Sequence, residues 1–344
     1  MNETNTITEK SKLSSYKIVC AKLGFIMCVF YVCVLIRDFI TYLISQLADE
    51  IGTTAYFLSA GIVGVMLIYM VPLLVAAILF KSFGYYNGKI GGLYKKPDRL
   101  AKKLGTFPAV YGLGYGVSLF TVLTMLFISK FTNVSAQLED VFKSPEIEAS
   151  ANAVYVVFMV LSLVVFAPVF EELLCRGIMY DALKPYGNGV AIVVTAVLFG
   201  LMHGRVSMLL YTTALGLALG YIRYATNSLF IVTILHALVN GVTAILFAAE
   251  SLREATNWEN KLINTTYNIF YFAALVLIFV GVAAFLKKIP VIRKYKIENT
   301  WNEVSGKRKI ALFFFSVPVL IMLVFAFDTH ANNILLAELI KLIK

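Results

Sequence analysis

The chain has 344 residues, of which 60% are hydrophobic and only 15% are charged, and its mean hydropathy is +0.81. A soluble globular domain does not need that much apolar surface, so the composition excludes a soluble fold and predicts a multispanning membrane protein. The four cysteines lie in or at the ends of apolar segments, a placement that indicates neither a disulfide framework nor a zinc-binding motif.

The net charge of +10 is concentrated in two loops, 81–105 and 287–309, which hold half of the 30 Lys and Arg residues. Short basic loops mark the cytoplasmic side of a membrane protein, so this pattern also predicts a cytoplasmic N-terminus. We therefore interpret the charge as topology information with an affinity for anionic membrane lipid, and we expect no nucleic-acid partner. Residues 1–17 are polar, so we expect the first apolar segment to be an uncleaved anchor.

Nine apolar segments predict an all-α fold, a polytopic membrane bundle of about eight to nine transmembrane helices. Their bounds are roughly 18–36, 55–80, 106–129, 151–168, 189–204, 207–223, 228–249, 265–286 and 310–327. The segments that begin near 189 and 207 are short for a span, so the predicted number of transmembrane helices has a margin of about one.

Three regions follow from these segments and from the placement of polar residues. Residues 1–150 hold the N-terminal transmembrane helices and a basic cytoplasmic loop, 151–249 form the core in which we expect the functional residues, and 250–344 hold the C-terminal helices. The last region ends in an amphipathic tail at 334–344. Gly216 and Gly220 form a G-x-x-x-G pattern, which predicts close helix packing within the fold and leaves dimerisation as an alternative.

The stretch V-F-E-E-L-L-C-R-G at 169–177 places ionisable side chains in an apolar segment. An ionisable group inside a membrane costs at least about 2.5–3.5 kcal/mol, so such residues usually have a partner or a function. Glu172 and Arg176 are four residues apart, and on a helix this spacing predicts an ion pair. An unbroken helix over 151–184 would be about 50 Å long, against a bilayer core of about 30 Å, so we predict a kink or break at Pro168.

Two further motifs lie on later apolar segments: Phe199 and His203 are spaced F-x-x-x-H, and His236 and Asn240 are spaced H-x-x-x-N. Counted from the predicted cytoplasmic turns, Glu171 and these three polar residues fall in one layer roughly 10 Å thick. Each also has a structural interpretation: a histidine at a helix end is often a packing residue, and the asparagine could bond to the backbone of a neighbouring helix.

A carboxylate and a neutral imidazole can together bind and deprotonate water, while a histidine and an asparagine amide can donate to an oxyanion. The layer therefore favours hydrolysis of a peptide bond by activated water. Covalent catalysis by Cys175 is less favoured, because no base lies beside it in the sequence. A glutamate and two histidines are also a zinc ligand set, but the H-E-x-x-H spacing is absent, so metal use stays open.

The three motifs E-E-x-x-x-R, F-x-x-x-H and H-x-x-x-N, in this order on hydrophobic helices, resemble the CPBP family of intramembrane proteases, also called the Abi family. The family includes CAAX prenyl endopeptidases and bacterial proteins of bacteriocin processing and immunity. The resemblance covers about 80–100 residues and implies catalysis without metal. The roles that it implies are a general base at Glu171 that shares its water with His203, an oxyanion site at His236 and Asn240, support from Glu172 and Arg176, and substrate contact at Phe199.

The expected function is that of an intramembrane endopeptidase acting on a peptide or lipidated peptide, either a prenylated C-terminal cysteine peptide or a bacteriocin or pheromone precursor. We expect no cofactor, with zinc as the alternative, and a multi-pass location in a bacterial cell membrane. A second hypothesis is a non-proteolytic immunity or regulatory protein that binds a membrane partner. A transporter would predict repeat symmetry between two halves of the chain, which the sequence does not show.

Overall fold

The structure is a computed structural model, and all regular elements in the part that it describes are helices, which confirms the all-α prediction. The described residues are 2–81, 94, 98–131, 152–294, 297, 301–330 and 340. Most of the predicted amphipathic tail and most of the first basic loop lie outside these ranges.

The described residues form ten main helices and the two short helices Ala48–Ile51 and Leu100–Leu104. The main helices are α1 (Asn2–Ser45), α2 (Thr53–Phe80), α3 (Phe107–Phe131), α4 (Ala153–Tyr186), α5 (Asn188–Leu201), α6 (Val206–Thr226), α7 (Leu229–Ala255), α8 (Lys261–Lys294), α9 (Gly306–Phe314) and α10 (Val317–His330). Helices α2 and α4 are compound and contain π-helical segments, of which Val65–Met70 is the one in α2.

Six helices within the described residues are long and apolar enough to cross a membrane: α1, α2, α3, α4, α7 and α8. Helices α9 and α10 meet the same test only as a pair bent by 65°, which raises the count to seven if the pair is one broken span. The two segments that we expected to be short correspond to α5 and α6. Helix α5 has 14 residues, and α6 is not among the six spans.

The predicted break at Pro168 is absent, because α4 is continuous from Ala153 to Tyr186. Two π-helical segments, Ser162–Phe166 and Leu173–Met179, widen its winding on either side of a short α-helical segment that contains the proline. A wider turn accommodates a residue that has no backbone N–H, so the helix changes its winding at the proline and continues.

Close packing between helices depends on glycine at two places. At Gly216, an added Cβ would lie 3.0 Å from Cα of Ala196, so α6 approaches α5 closely through the predicted G-x-x-x-G pattern. At Gly281, an added Cβ would lie 2.2 Å from the carbonyl oxygen of Pro108, so α3 and α8 are nearly in backbone contact.

One basic residue that we assigned to the second basic loop lies inside the protein. Lys309 is 2% exposed, and its ammonium group donates hydrogen bonds to the carbonyl oxygens of Tyr186, at 2.8 Å, and Trp301. The phenol of Tyr16 in turn donates to the carbonyl of Lys309 at 2.8 Å. This lysine therefore ties α9 to α1 and to the end of α4, and it does not add to the surface charge.

We expect Gly281→Ala to destabilise the protein by about 1–3 kcal/mol, because the new methyl group forces α8 away from α3. Thermal unfolding in detergent, followed by circular dichroism, measures the effect. The matched control is Gly64→Ala in α2, where an added Cβ meets nothing within 4 Å and the helix propensity of alanine favours a small gain. An unchanged or higher melting temperature for Gly281→Ala would contradict the close approach.

Candidate active site

Helices α4, α5 and α7 bring the acidic pair, Phe199 and His236 into one buried cluster. The α4 residues Glu171 and Glu172 lie at the junction between the α-helical segment Ala167–Glu172 and the second π segment. π-Helical turns inside α-helices occur frequently at functional sites, because they change the direction in which neighbouring side chains point.

The predicted pair of Glu172 and Arg176 is present, and both side chains are completely buried. Nη1 of Arg176 lies 2.8 Å from Oε1 of Glu172, and Nη2 donates to the carbonyl oxygen of Gly216 at 3.2 Å. The guanidinium also lies over the ring of Phe199, 4.4 Å from its centroid. A buried ion pair needs such additional contacts, because the loss of hydration offsets much of its attraction.

His236 is held by the same carboxylate. Its Nδ1 lies 2.9 Å from Oε1 of Glu172, and because an ionised carboxylate can only accept, Nδ1 carries the hydrogen. The other ring nitrogen, Nε2, lies 3.9 Å from Oε2 of Glu171. Glu172 therefore fixes the orientation of His236, and this orientation places Nε2 opposite the second glutamate.

Glu171 is the glutamate that Arg176 does not hold. Its side chain is 13% exposed, and its Oε2 is buried without a hydrogen-bond partner among the residues that the structure describes. A buried carboxylate oxygen in this state carries a desolvation cost. Oε2 of Glu172 shares this state, so its position relative to His236 is what distinguishes Oε2 of Glu171. This oxygen is the one that faces His236.

Phe199 connects the two histidines. Its ring centroid is 4.9 Å from that of His203 and 5.5 Å from that of His236, with edge-to-face geometry in both cases. The phenyl ring is completely buried. In this structure Phe199 positions the rings around it, and contact with a substrate would require it to become exposed.

His203 is oriented by its own helix end. Its Nδ1 lies 2.8 Å from the carbonyl oxygen of Phe199. A carbonyl can only accept, so Nδ1 is the donor, and in the neutral ring Nε2 is then a hydrogen-bond acceptor. This tautomer suits a group that accepts a proton or a hydrogen bond from water.

Asn240 bonds to the backbone of α4, the structural alternative considered for this residue. Its amide nitrogen donates to the carbonyl oxygen of Leu163 at 3.0 Å. The N–H of Ala167 bonds instead to the carbonyl of Ser162, five residues back, and Pro168 has no N–H to donate. The carbonyl of Leu163 therefore lacks both of its helical donors, and the asparagine supplies one from α7.

Arg223 is a buried charged residue next to the acidic motif that the sequence reasoning missed. It is 1% exposed and donates hydrogen bonds to the carbonyl oxygen of Arg176 at 3.1 Å and to Oδ1 of Asp181 at 3.1 Å. It thus ties α6 to the π segment that carries the acidic motif. The sequence does contain an indication of this contact. Arg223 stands at the end of an otherwise apolar segment, where an ionisable group usually has a partner.

Among the described residues, no three His, Cys, Asp or Glu side chains are grouped in a way that could hold a metal ion. The glutamate and histidine set that the sequence offered to zinc is therefore not assembled as a ligand shell in this structure. Whether the reaction uses a metal ion is tested by adding a chelator to the cleavage assay.

Comparison with known proteins gives one match. Residues 153–242 match the model of the family described as type II CAAX prenyl endopeptidase Rce1-like. Searches of the curated proteins and of the solved structures found no match. The matched region runs from the start of α4 into α7, contains all three motifs, and leaves the flanking helices unassigned. Residues 153–242 of this membrane protein thus match the Rce1-like type II CAAX prenyl endopeptidase family, in agreement with the resemblance inferred from the motifs.

Proposed function

We propose that the protein is an intramembrane endopeptidase that hydrolyses a peptide bond with a water molecule activated by Glu171. The observation that carries the proposal is the buried Oε2 of Glu171, which faces Nε2 of His236 at 3.9 Å in a cluster of three helices. The family of the matched domain agrees with this reaction type.

The geometry around Glu171 suits activation of water. A separation of 3.9 Å is too long for a direct hydrogen bond, but both groups can contact one water molecule between them. In the proposed reaction Glu171 accepts a proton from this water as its oxygen attacks the carbonyl carbon. The glutamic acid then returns the proton to the amine nitrogen as the C–N bond breaks. The acceptor Nε2 of His203 orients the water from a second side.

Stabilisation of the tetrahedral intermediate is assigned to His236 and Asn240. The bond from Nδ1 to the carboxylate of Glu172 fixes the ring of His236, and a hydrogen on Nε2 would then be donated to the oxyanion. The amide nitrogen of Asn240 carries two hydrogens, so its bond to Leu163 leaves one for the same oxygen.

The proposed substrate is a peptide that reaches the cluster from the membrane. Two forms are consistent with the apolar surroundings of the site: a peptide with a prenylated C-terminal cysteine, as in the name of the matched family, and an apolar precursor peptide without a lipid. The assay therefore presents both forms to the purified protein in detergent, and mass spectrometry identifies the bond that is cut.

We expect Glu171→Gln to lower the rate of cleavage by about 10²–10⁴, because glutamine has a similar shape but cannot take the proton of water. Liquid chromatography with mass spectrometry measures the products. The matched control on the same helix is Cys175→Ala, which removes a buried thiol and is expected to keep most of the activity. Full activity of Glu171→Gln would contradict the assignment of the base, and loss of activity in Cys175→Ala alone would point to covalent catalysis.

We also expect a chelator to leave the rate of cleavage unchanged, because in the proposed mechanism the protein's own side chains activate the water. The same peptide assay is run after incubation of the purified protein with EDTA and after dialysis. A loss of activity that added zinc restores would show that a metal ion takes part and would overturn the proposed mechanism.

A further inference from the structure

A cleft of about 530 Å³ lies between α3, α6 and α8, apart from the catalytic cluster. Most of its wall is apolar, with Leu113 from α3, Ala214 and Leu217 from α6, and Phe285 from α8. Leu217 is 38% exposed, so this wall is accessible from the outside of the bundle.

The charged side chains of the cleft lie at one end. Lys103, just before α3, and Lys288, near the end of α8, line this end, and the lining contains no acidic residue from the part of the chain that the structure describes. Thr226, the last residue of α6, lines it as well. Both lysines belong to the basic loops, so this end lies at the predicted cytoplasmic surface.

The length of the cleft matches one leaflet of a bilayer. On α6 the lining runs from Ala214 to Thr226, which is about 18 Å along a helix. Half of the hydrocarbon core of a bilayer is about 15 Å thick. The cleft thus has cations at the level of the lipid headgroups and an apolar wall that extends about as deep as an acyl chain.

Helix α6 separates the cleft from the catalytic cluster. The carbonyl of Gly216 accepts a hydrogen bond from Arg176 on one side of the helix. Ala214 and Ala218, each two residues away and therefore about 200° around the helix axis, line the cleft on the other side. The cleft is a separate site, and a ligand in it would contact the helix that supports Arg176.

We infer that the cleft binds one anionic phospholipid of the cytoplasmic leaflet, with its phosphate between Lys103 and Lys288 and an acyl chain along α6. The choice of ligand rests on charge complementarity. Two cations with no acidic neighbour among the described lining residues favour a headgroup with net negative charge over a zwitterionic one. Basic pockets between transmembrane helices on the cytoplasmic side are known to recognise anionic headgroups.

Native mass spectrometry of the full chain in detergent tests the inference with phosphatidylglycerol and phosphatidylcholine of the same acyl chains. We expect one phosphatidylglycerol to bind each chain in preference to phosphatidylcholine. The double variant Lys103→Gln and Lys288→Gln is expected to weaken phosphatidylglycerol binding by about tenfold or more. The matched control is Lys102→Gln and Lys287→Gln, which removes the same charge from two exposed neighbours that do not line the cleft.

A second variant, Ala218→Trp, fills the apolar part of the cleft and is expected to lower binding while both lysines stay in place. Circular dichroism checks that each variant is folded. Equal binding of the two lipids, or equal losses in the two double lysine variants, would overturn the inference, since either result would describe general attraction of lipid to the protein surface. These readouts do not depend on peptide cleavage, so they stand apart from the test of the proposed activity.

Discussion

The buried ion pair of Glu172 and Arg176 is the interaction on which the rest of the site depends. Glu172 holds His236, and Arg176 binds the carbonyl of Gly216 and the ring of Phe199, so the pair joins α4 to α5, α6 and α7. Two charges without water around them are stable only when most of their hydrogen-bonding groups have partners. Neighbouring helices provide partners for Oε1 of Glu172 and Nη2 of Arg176, while Oε2 of Glu172 and Nε of Arg176 have none among the described residues. The contacts that are made fix the positions of these helices around the acidic motif.

A second constraint comes from the backbone of α4. Pro168 and the π winding before it leave the carbonyl of Leu163 without a helical donor, and in a membrane an unpaired carbonyl is costly. Asn240 satisfies it from α7, one turn beyond His236. The same asparagine therefore aligns α7 against α4 and holds His236 level with Glu171. Asn240 thus has two roles in this account: it positions α7, and it makes the proposed contact with the oxyanion.

The sequence was sufficient to predict the contacts within a single helix. The four-residue spacing of Glu172 and Arg176 predicted their pair, and the apolar runs predicted the helices that carry the motifs. Contacts between helices could not be predicted in the same way, because spacing shows which residues share a face but not what the face meets. The bond from Asn240 to Leu163 depends on the π winding of α4, for which no sequence rule was available. The burial of Phe199 and Lys309 likewise follows from tertiary packing.

The most direct test of the account is a double-mutant cycle on the central pair, read by both unfolding and peptide cleavage. Arg176→Met is expected to cost about 3–5 kcal/mol of stability, because it removes the cation that balances the buried charge of Glu172, and adding Glu172→Met should recover most of that loss. The double variant should still cleave peptide at least about 100-fold more slowly, since His236 no longer has a carboxylate at Nδ1. A double variant that is stable and cleaves at the original rate would contradict the claim that this pair organises the catalytic site.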